Sequence, residues 1–344
     1  MAVRVGIGLF TGQLPEGSPR TFAQEYRDTI ELVRLAERAG FDSAWVSEHH
    51  GSSDGYLPSL FVMLGAITAA TERIALGTGV ILTPLHDPIR LAEDAAVVDQ
   101  LSGGRLVVGL GLGWREEEFR MLGVPFEERL ARHVDTVEIL RRAWTGERFS
   151  FEGRVFRYDR VRVTPPPARP GGPPILLGGY ADAALRRAGR LGDGHLTDGD
   201  EPDALAHAVA LVDEGARSAG KDPGGLRLVL MRNAFVVEEG DAWAAVRAGV
   251  VHQWGAYDAW ARGDDTPARD RLDAVLEDDD VARRATDAGT PAAVAERLTA
   301  AVAPWRGRDV EVVVRLHYPG MDLEPAARAV ALFGEHVLPA LRGA

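Results

Sequence analysis

The sequence predicts an α/β fold: a closed (β/α)8 TIM barrel with insertions after strands four and seven, in a single domain over residues 1–344. Short apolar, β-branched runs alternate with longer segments of helical period along almost the whole chain. Several of these runs are apolar on both faces, as strands covered on both sides of a parallel sheet are. An open doubly wound sheet would need a tight Gly-rich turn after the first strand. TGQLPEGSPR at 11–20 is neither tight nor of G-x-G-x-x-G form.

Strand one is VRVGIGLF at 3–10, followed by a helix over Phe22–Ala39 that Gly40 is placed to end in the left-handed conformation. DSAWVSE reads as strand two, PSLFVMLGAITAAT as helix two and RIALGTGVIL as strand three. Helix three is DPIRLAEDAAVVDQLS, with Asp87 as N-cap and Pro88 at the first helical position, where its missing N–H costs nothing. RLVVGLGLG is strand four, and a helical region then runs from Arg115 to Trp144 with breaks near Gly123 and Pro125. Residues 146–173 form an inserted hairpin (RFSFEGRVFRY) and a stiff Pro-rich connector (TPPPARPGGPP).

The second half continues with strand five (ILLGG), a helix over Asp182–Leu191, strand six (DGHLTD), a helix over Pro202–Ala219 and strand seven (LRLVLMRNAFVV). Residues 241–288 are expected to be a helical insertion or lid, with EDDD at 277–280 a solvated face. Thr290 and Pro291 start the next helix, VEVVVRLHY is strand eight, and a last helix ends near Leu341.

Composition narrows the function. The net charge is −12 and the basic residues are scattered, so nucleic acid is a poor partner. Cysteine is absent, which excludes disulfides and thiolate chemistry and favours a cytoplasmic setting. No run approaches the roughly 18–20 apolar residues of a membrane span, and the opening apolar run is a strand rather than a signal peptide.

In such a barrel chemistry sits on the loops after the strands. Glycine is frequent there, a pattern that lets a flat ligand lie close to the backbone. LGGYADAAL combines a strand end, a two-glycine turn and a helix N-terminus, so Gly178, Gly179, Tyr180 and Ala181 suit an anion. In GLGLG the glycines, Gly111 and Gly113 among them, alternate with Leu110 and Leu112 at strand period, which turns the leucines outward and the glycines inward. Trp114 follows as a candidate pocket wall. SEHHG at 47–51 brings Glu48, His49 and His50 together, yet neighbouring side chains on extended chain face opposite ways, so a catalytic metal is not expected. His86 and Asp87 read as a helix start, His133 as a packing or surface residue within a helix, and His195, Asp198, Asn233 and His317 as unranked pocket candidates.

The segments GFDSAWVSEHH, TERIALGTGVILTPLHDPIRLAEDAAVVDQLSGGRLVVGLGLGWREEEFRMLGVPFEER and PPILLGGYADAALRRAGRLGDG together resemble the bacterial luciferase-like superfamily of flavin-dependent oxidoreductases. The resemblance covers about residues 1–200 and returns at GTPAAVAERL. It implies FMN, or the deazaflavin F420, in the barrel mouth, with the phosphate near Gly178–Ala181. It also implies a cis peptide at Gly79–Val80 beside Thr78, a strand end at Gly111–Trp114 facing the flavin, and His49 at the reacting edge, where an imidazole can hydrogen-bond or donate a proton. Glu48 is the expected orienting partner of an imidazole, and Arg129 a candidate substitute phosphate anchor. The implied reaction is monooxygenation of a small organic substrate by reduced FMN and O2, the FMN coming from a partner flavin reductase, in a homodimer. The alternatives are F420-dependent hydride transfer, with Arg186, Arg187 or Arg190 along a basic groove, and a catalytically silent flavin-binding barrel.

Overall fold

A computed structural model describes residues 3–199, 201–264 and 280–343. Most of the acidic run at 277–280 lies outside them. The strands are β1 (Arg4–Phe10), β2 (Ser43–Val46), β3 (Ala75–Thr78), β4 (Ile81–Leu82), β5 (Leu106–Gly111), β6 (Phe149–Glu152), β7 (Arg157–Val161), β8 (Ile175–Gly178), β9 (Gly194–Thr197), β10 (Arg227–Val236), β11 (Thr286–Gly289) and β12 (Asp309–Arg315). β1, β2, β3, β5, β8, β9, β10 and β12 pair in parallel in that order, and β12 closes on β1. The expected TIM barrel is therefore the fold. β6 and β7 form the separate antiparallel hairpin expected after strand four.

The surrounding helices begin and end as the sequence chemistry requires. In α1 (Phe22–Ala39) Thr21 and Gln24 form a capping box, and Gly40 terminates the helix at φ 93°. α2 (Leu60–Ala70) and α3 (Pro88–Ser102) follow, the latter capped by Asp87. Then come α4 (Glu116–Met121), α5 (Arg129–Ala143), α6 (Asp182–Leu191), α7 (Pro202–Ser218) and α8 (Ala242–Ala261). No helix among the described residues is long and apolar enough to cross a membrane.

Two departures from the sequence reading concern strands. RIALGTGVIL is not one strand: it breaks at Gly79–Val80, whose peptide bond is cis, and β4 pairs with β5 on its own. The region expected to be helical through 288 ends in β11, which runs parallel to β10. β10 pairs with β9 only over Arg227–Leu230, so the ladder groups of its upper half, Asn233–Val236, are free for Thr286–Gly289 to take.

The barrel has two apolar layers. Trp45, Val107, Leu176, Leu196, Val229, Met231 and Val313, with Leu9 and Val80, fill its interior, while Leu228, Leu230, Val310, Val312 and Val314 face the helices. This is the period-two alternation of a strand. Leu110 also packs outward, as expected. Two glycines of the barrel strands have protein side chains close at hand. A Cβ on Gly77 would meet the Trp45 ring at 2.2 Å, and one on Gly111 would meet Val80 at 2.4 Å.

Candidate active site

Residues 47–51 leave β2 at the upper end of the barrel. His49 is 5% exposed, and its Nδ1 lies 2.9 Å from Oε1 of Glu118, which α4 presents from its first turns. The same carboxylate oxygen accepts the His50 backbone N–H at 2.8 Å. With Nδ1 donating to Glu118, Nε2 is the basic nitrogen of a neutral His49. Arg115 Nη1 donates to the His50 carbonyl at 2.8 Å, and its guanidinium stacks over Trp260 at 4.9 Å.

Aromatic rings enclose this imidazole. Tyr56 and Tyr257 meet it edge-on at 4.8 and 5.5 Å, Trp260 is tilted at 4.9 Å, and Trp114 lies at 6.3 Å. Tyr257 and Trp260 come from α8 and so bring that helix against His49. The Tyr56 hydroxyl donates to Ser47 Oγ, and burial raises its pKa and that of Tyr257, so both phenols stay protonated.

Glu48 does not orient His49. Its Oε1 accepts from His50 Nε2 at 2.9 Å and from His86 Nε2 at 2.8 Å, and its Oε2 accepts the Leu82 N–H at 2.6 Å. Burial works to raise its pKa, but the charge of His86 and the hydrogen bonds from both imidazoles win and hold it at about 2. His86, read from the sequence as a helix start, thus belongs to a polar cluster whose three ligand-type atoms lie within 4.8 Å. The side chains of His49 and His50 meet different carboxylates, Glu118 and Glu48.

The barrel mouth holds a cavity of about 360 Å³ lined by Gly8, Leu9, Met231, Asn233, Gln253 and Arg315, among others. Asp198 and Tyr257 also line it, and Tyr257 separates it from His49. His195 and His317 are buried elsewhere: His195 donates to the Leu177 carbonyl and His317 to that of Met321. Thr78 is fully buried and donates to the Gly109 carbonyl at 2.9 Å, so its hydroxyl serves the strand pair. Val80 rests on the interior apolar cluster beside Gly79, and Gly113, at φ 73°, turns the chain into Trp114, which stacks on Tyr257.

At the β8–α6 turn, Gly179 has φ 144°, Ala181 is an N-cap without a side-chain hydrogen bond, and Tyr180 is 70% exposed. The first-turn N–H groups of α6 therefore point outward without a side-chain acceptor. Arg129 stacks 3.8 Å from the Phe126 ring, and Arg186 pairs with Glu214, so neither is a ready phosphate anchor. An uncapped helix end and an apolar floor together fit a planar cofactor with an anionic tail, and the buried atoms Gln253 Oε1 and Arg315 Nη1 are left without partners in the same cavity.

Glu118, Tyr56, Tyr257, Trp260 and Arg315 escaped the sequence reading. Only Arg315 carried a usable signal, the every-second-residue column Glu311, Val313, Arg315 of its strand.

Comparison with known proteins agrees with this geometry. The family model described as luciferase-like monooxygenase matches residues 3–305. An F420-dependent glucose-6-phosphate dehydrogenase of Nakamurella multipartita is 31% identical over 332 residues, 92% of each chain. Monooxygenase RslO1 from Streptomyces bottropensis superposes with a TM-score of 0.82 at 28% identity, over 98% of this chain and 99% of its own. The oxygenating constituent of 3,6-diketocamphane monooxygenase from Pseudomonas putida, in complex with FMN, shares the fold at a TM-score of 0.75 and 20% identity, over 98% of each chain. The chain belongs to the luciferase-like monooxygenase family and is an oxidoreductase of the flavin-dependent type.

Proposed function

We propose that the protein is a monooxygenase that uses reduced FMN and O2 to oxygenate a small organic substrate. The observation that carries this reading is His49, clamped by Glu118 under an aromatic cover at the barrel mouth. The likeness to a monooxygenase over nearly the whole chain supports it. Bound in the mouth, reduced FMN would supply the electrons and the site of O2 activation.

The protein's own groups do the rest. Glu118 holds the His49 tautomer, so that Nε2 accepts and returns a proton at the reacting edge. Tyr56, Trp114, Tyr257 and Trp260 exclude water, which protects a reactive oxidant from hydrolysis and proton leakage. The uncapped N-terminus of α6, with Gly178–Ala181, would receive the FMN phosphate. In this reading His50 and Glu48 shape the loop that carries His49.

A separate flavin reductase supplies the reduced FMN, and the setting is cytoplasmic. The working unit is a homodimer. α2 contains no charged residue, yet Val62 is 75% exposed, and Leu101 of α3 is 64% exposed along the same groove, whose lining is mostly apolar apart from Glu48, His86 and Asp94. A helix apolar on all sides is normally covered, and a second copy of this face would cover it.

The second reading, F420-dependent hydride transfer, draws on the 31% identity to a dehydrogenase of that class. Incubation with reduced FMN, ¹⁸O2 and a panel of small organic acids separates the two. Monooxygenation yields a product carrying one ¹⁸O atom. Label-free oxidation that requires F420 would replace it with the second reading.

A further inference from the structure

The top of the barrel interior holds a charge that the protein does not balance. Residues on one face of a strand recur at every second position, so Glu311, Val313 and Arg315 share the inner face of β12, with Val313 in the interior apolar layer. Glu311, at the lower end, is answered by Ser43 Oγ and Trp45 Nε1. Arg315, at the upper end, is 4% exposed, and its Nη1 has no hydrogen-bond partner. Among the described residues no carboxylate lies within ion-pair distance of its guanidinium. Asp198, which lines the same cavity, accepts from the Tyr180 hydroxyl, and Asp287 pairs with Arg232 and Arg297.

An arginine does not shed its proton, and a buried charge without a counter-charge is strongly unfavourable. The ladder register sets Asn233 beside Arg315 on the neighbouring strand. From the lid, Gln253 contributes a buried amide oxygen that has no donor. All three line the mouth cavity, one wall of which is Tyr257, itself 5.5 Å from His49.

We infer that Arg315 anchors a carboxylate of the organic substrate, while Gln253 accepts from an O–H or N–H group on the same molecule. The fork of a guanidinium matches a carboxylate with two parallel hydrogen bonds. The anion is the substrate's rather than the cofactor's: the phosphate-type turn follows β8, and β9 and β10 stand between β8 and β12 around the barrel. A molecule held at Arg315 is then one aromatic ring away from the imidazole that handles protons. This inference takes the cavity as the substrate end of the oxygenase site proposed above.

Calorimetric titration of FMN-saturated and FMN-free protein with salicylate and its neutral amide, salicylamide, tests it. Salicylate is expected to bind at least about tenfold more tightly than the amide. Arg315→Met should abolish that preference, Arg315→Lys should keep part of it, and the FMN affinity of both variants should stay within about twofold of the parent. Arg315→Met should also melt no lower than the parent, because it removes an unbalanced buried charge. Equal binding of the two probes, or a preference that survives Arg315→Met, overturns the inference. A collapse of FMN affinity in Arg315→Met overturns it too, by giving the anion to the cofactor. If the protein binds no FMN yet shows the Arg315-dependent preference, the oxygenase reading fails while the anchor stands.

Discussion

Nδ1 of His49 and Oε1 of Glu118 meet at 2.9 Å across 69 residues of sequence. The contact joins the loop after the second barrel strand to the helix after the strand-four stave, and it leaves one imidazole nitrogen available beneath the aromatic lid. A positioned acid–base group contributes about 10²–10⁴ in rate. His49→Ala should therefore lower oxygenation at least about 100-fold with FMN affinity retained, and His50→Ala less than about tenfold. Glu118→Ala should fall between them. Single-turnover rates in the three variants check this, and equal, unimpaired rates would reduce the three residues to structural roles.

Glu48 is the hub of the neighbouring cluster. Removing one member of a buried, hydrogen-bonded charge set costs about 3–5 kcal/mol, so Glu48→Gln should lower unfolding stability by about that amount near pH 6. The sign with pH follows from the two partners. Glu48 titrates at about 2, below its ordinary value, so its contribution is present above the unfolded carboxylate range and is lost as pH falls toward 2. His86 is raised, its burial being outweighed by Glu48, so its contribution is lost as pH rises through that raised value. Urea titrations of parent and variant across pH read both limbs. A Glu48→Gln effect under about 1 kcal/mol would mean the cluster holds nothing together.

Three histidines should make the protein acid-sensitive. Burial lowers His133 to about 3 and His195 and His317 to about 4, so all three stay neutral in the folded chain. The unfolded chain binds protons on them below about pH 6.5. Stability should then fall with acidification from pH 6.5 toward 4, by up to about 1.4 kcal/mol per pH unit for each histidine. Replacing one, as in His195→Leu, should flatten that slope by a single histidine's share. An unchanged slope in denaturation series from pH 6.5 to 4.5 would contradict the assignment.

Val62→Glu and Leu101→Glu should each turn a dimer into a monomer, because each sets a charge in the centre of the exposed α2–α3 apolar face. Light scattering reads the mass directly. A parent protein that is already monomeric, or charged variants that remain dimeric, would place the interface elsewhere.

The legibility of the chain divides along the range of its interactions. The eight staves, the Asp87 and Thr290 caps and the hairpin after strand four were readable, because strand period, capping residues and turn chemistry are local. β11 was not. Thr286–Gly289 has no strand pattern of its own and pairs because β10 outruns β9. The site split in the same way. SEHHG and its loop were visible, whereas the partner of His49 lies within three consecutive glutamates, of which only Glu118 is buried to this degree. The lid aromatics Tyr257 and Trp260 likewise sit in a stretch of no recognisable motif, and only their packing on His49 gives them meaning. The packing of Gly77 and Gly111 was equally hidden, since only the folded chain brings Trp45 and Val80 against them.

The most direct test of the account is a parallel titration of the purified protein with FMN, reduced FMN and F420, followed by flavin or deazaflavin fluorescence. The account predicts saturable binding of FMN, tighter when reduced, with F420 bound weakly or not at all. Tight F420 binding with none to either form of FMN would contradict it.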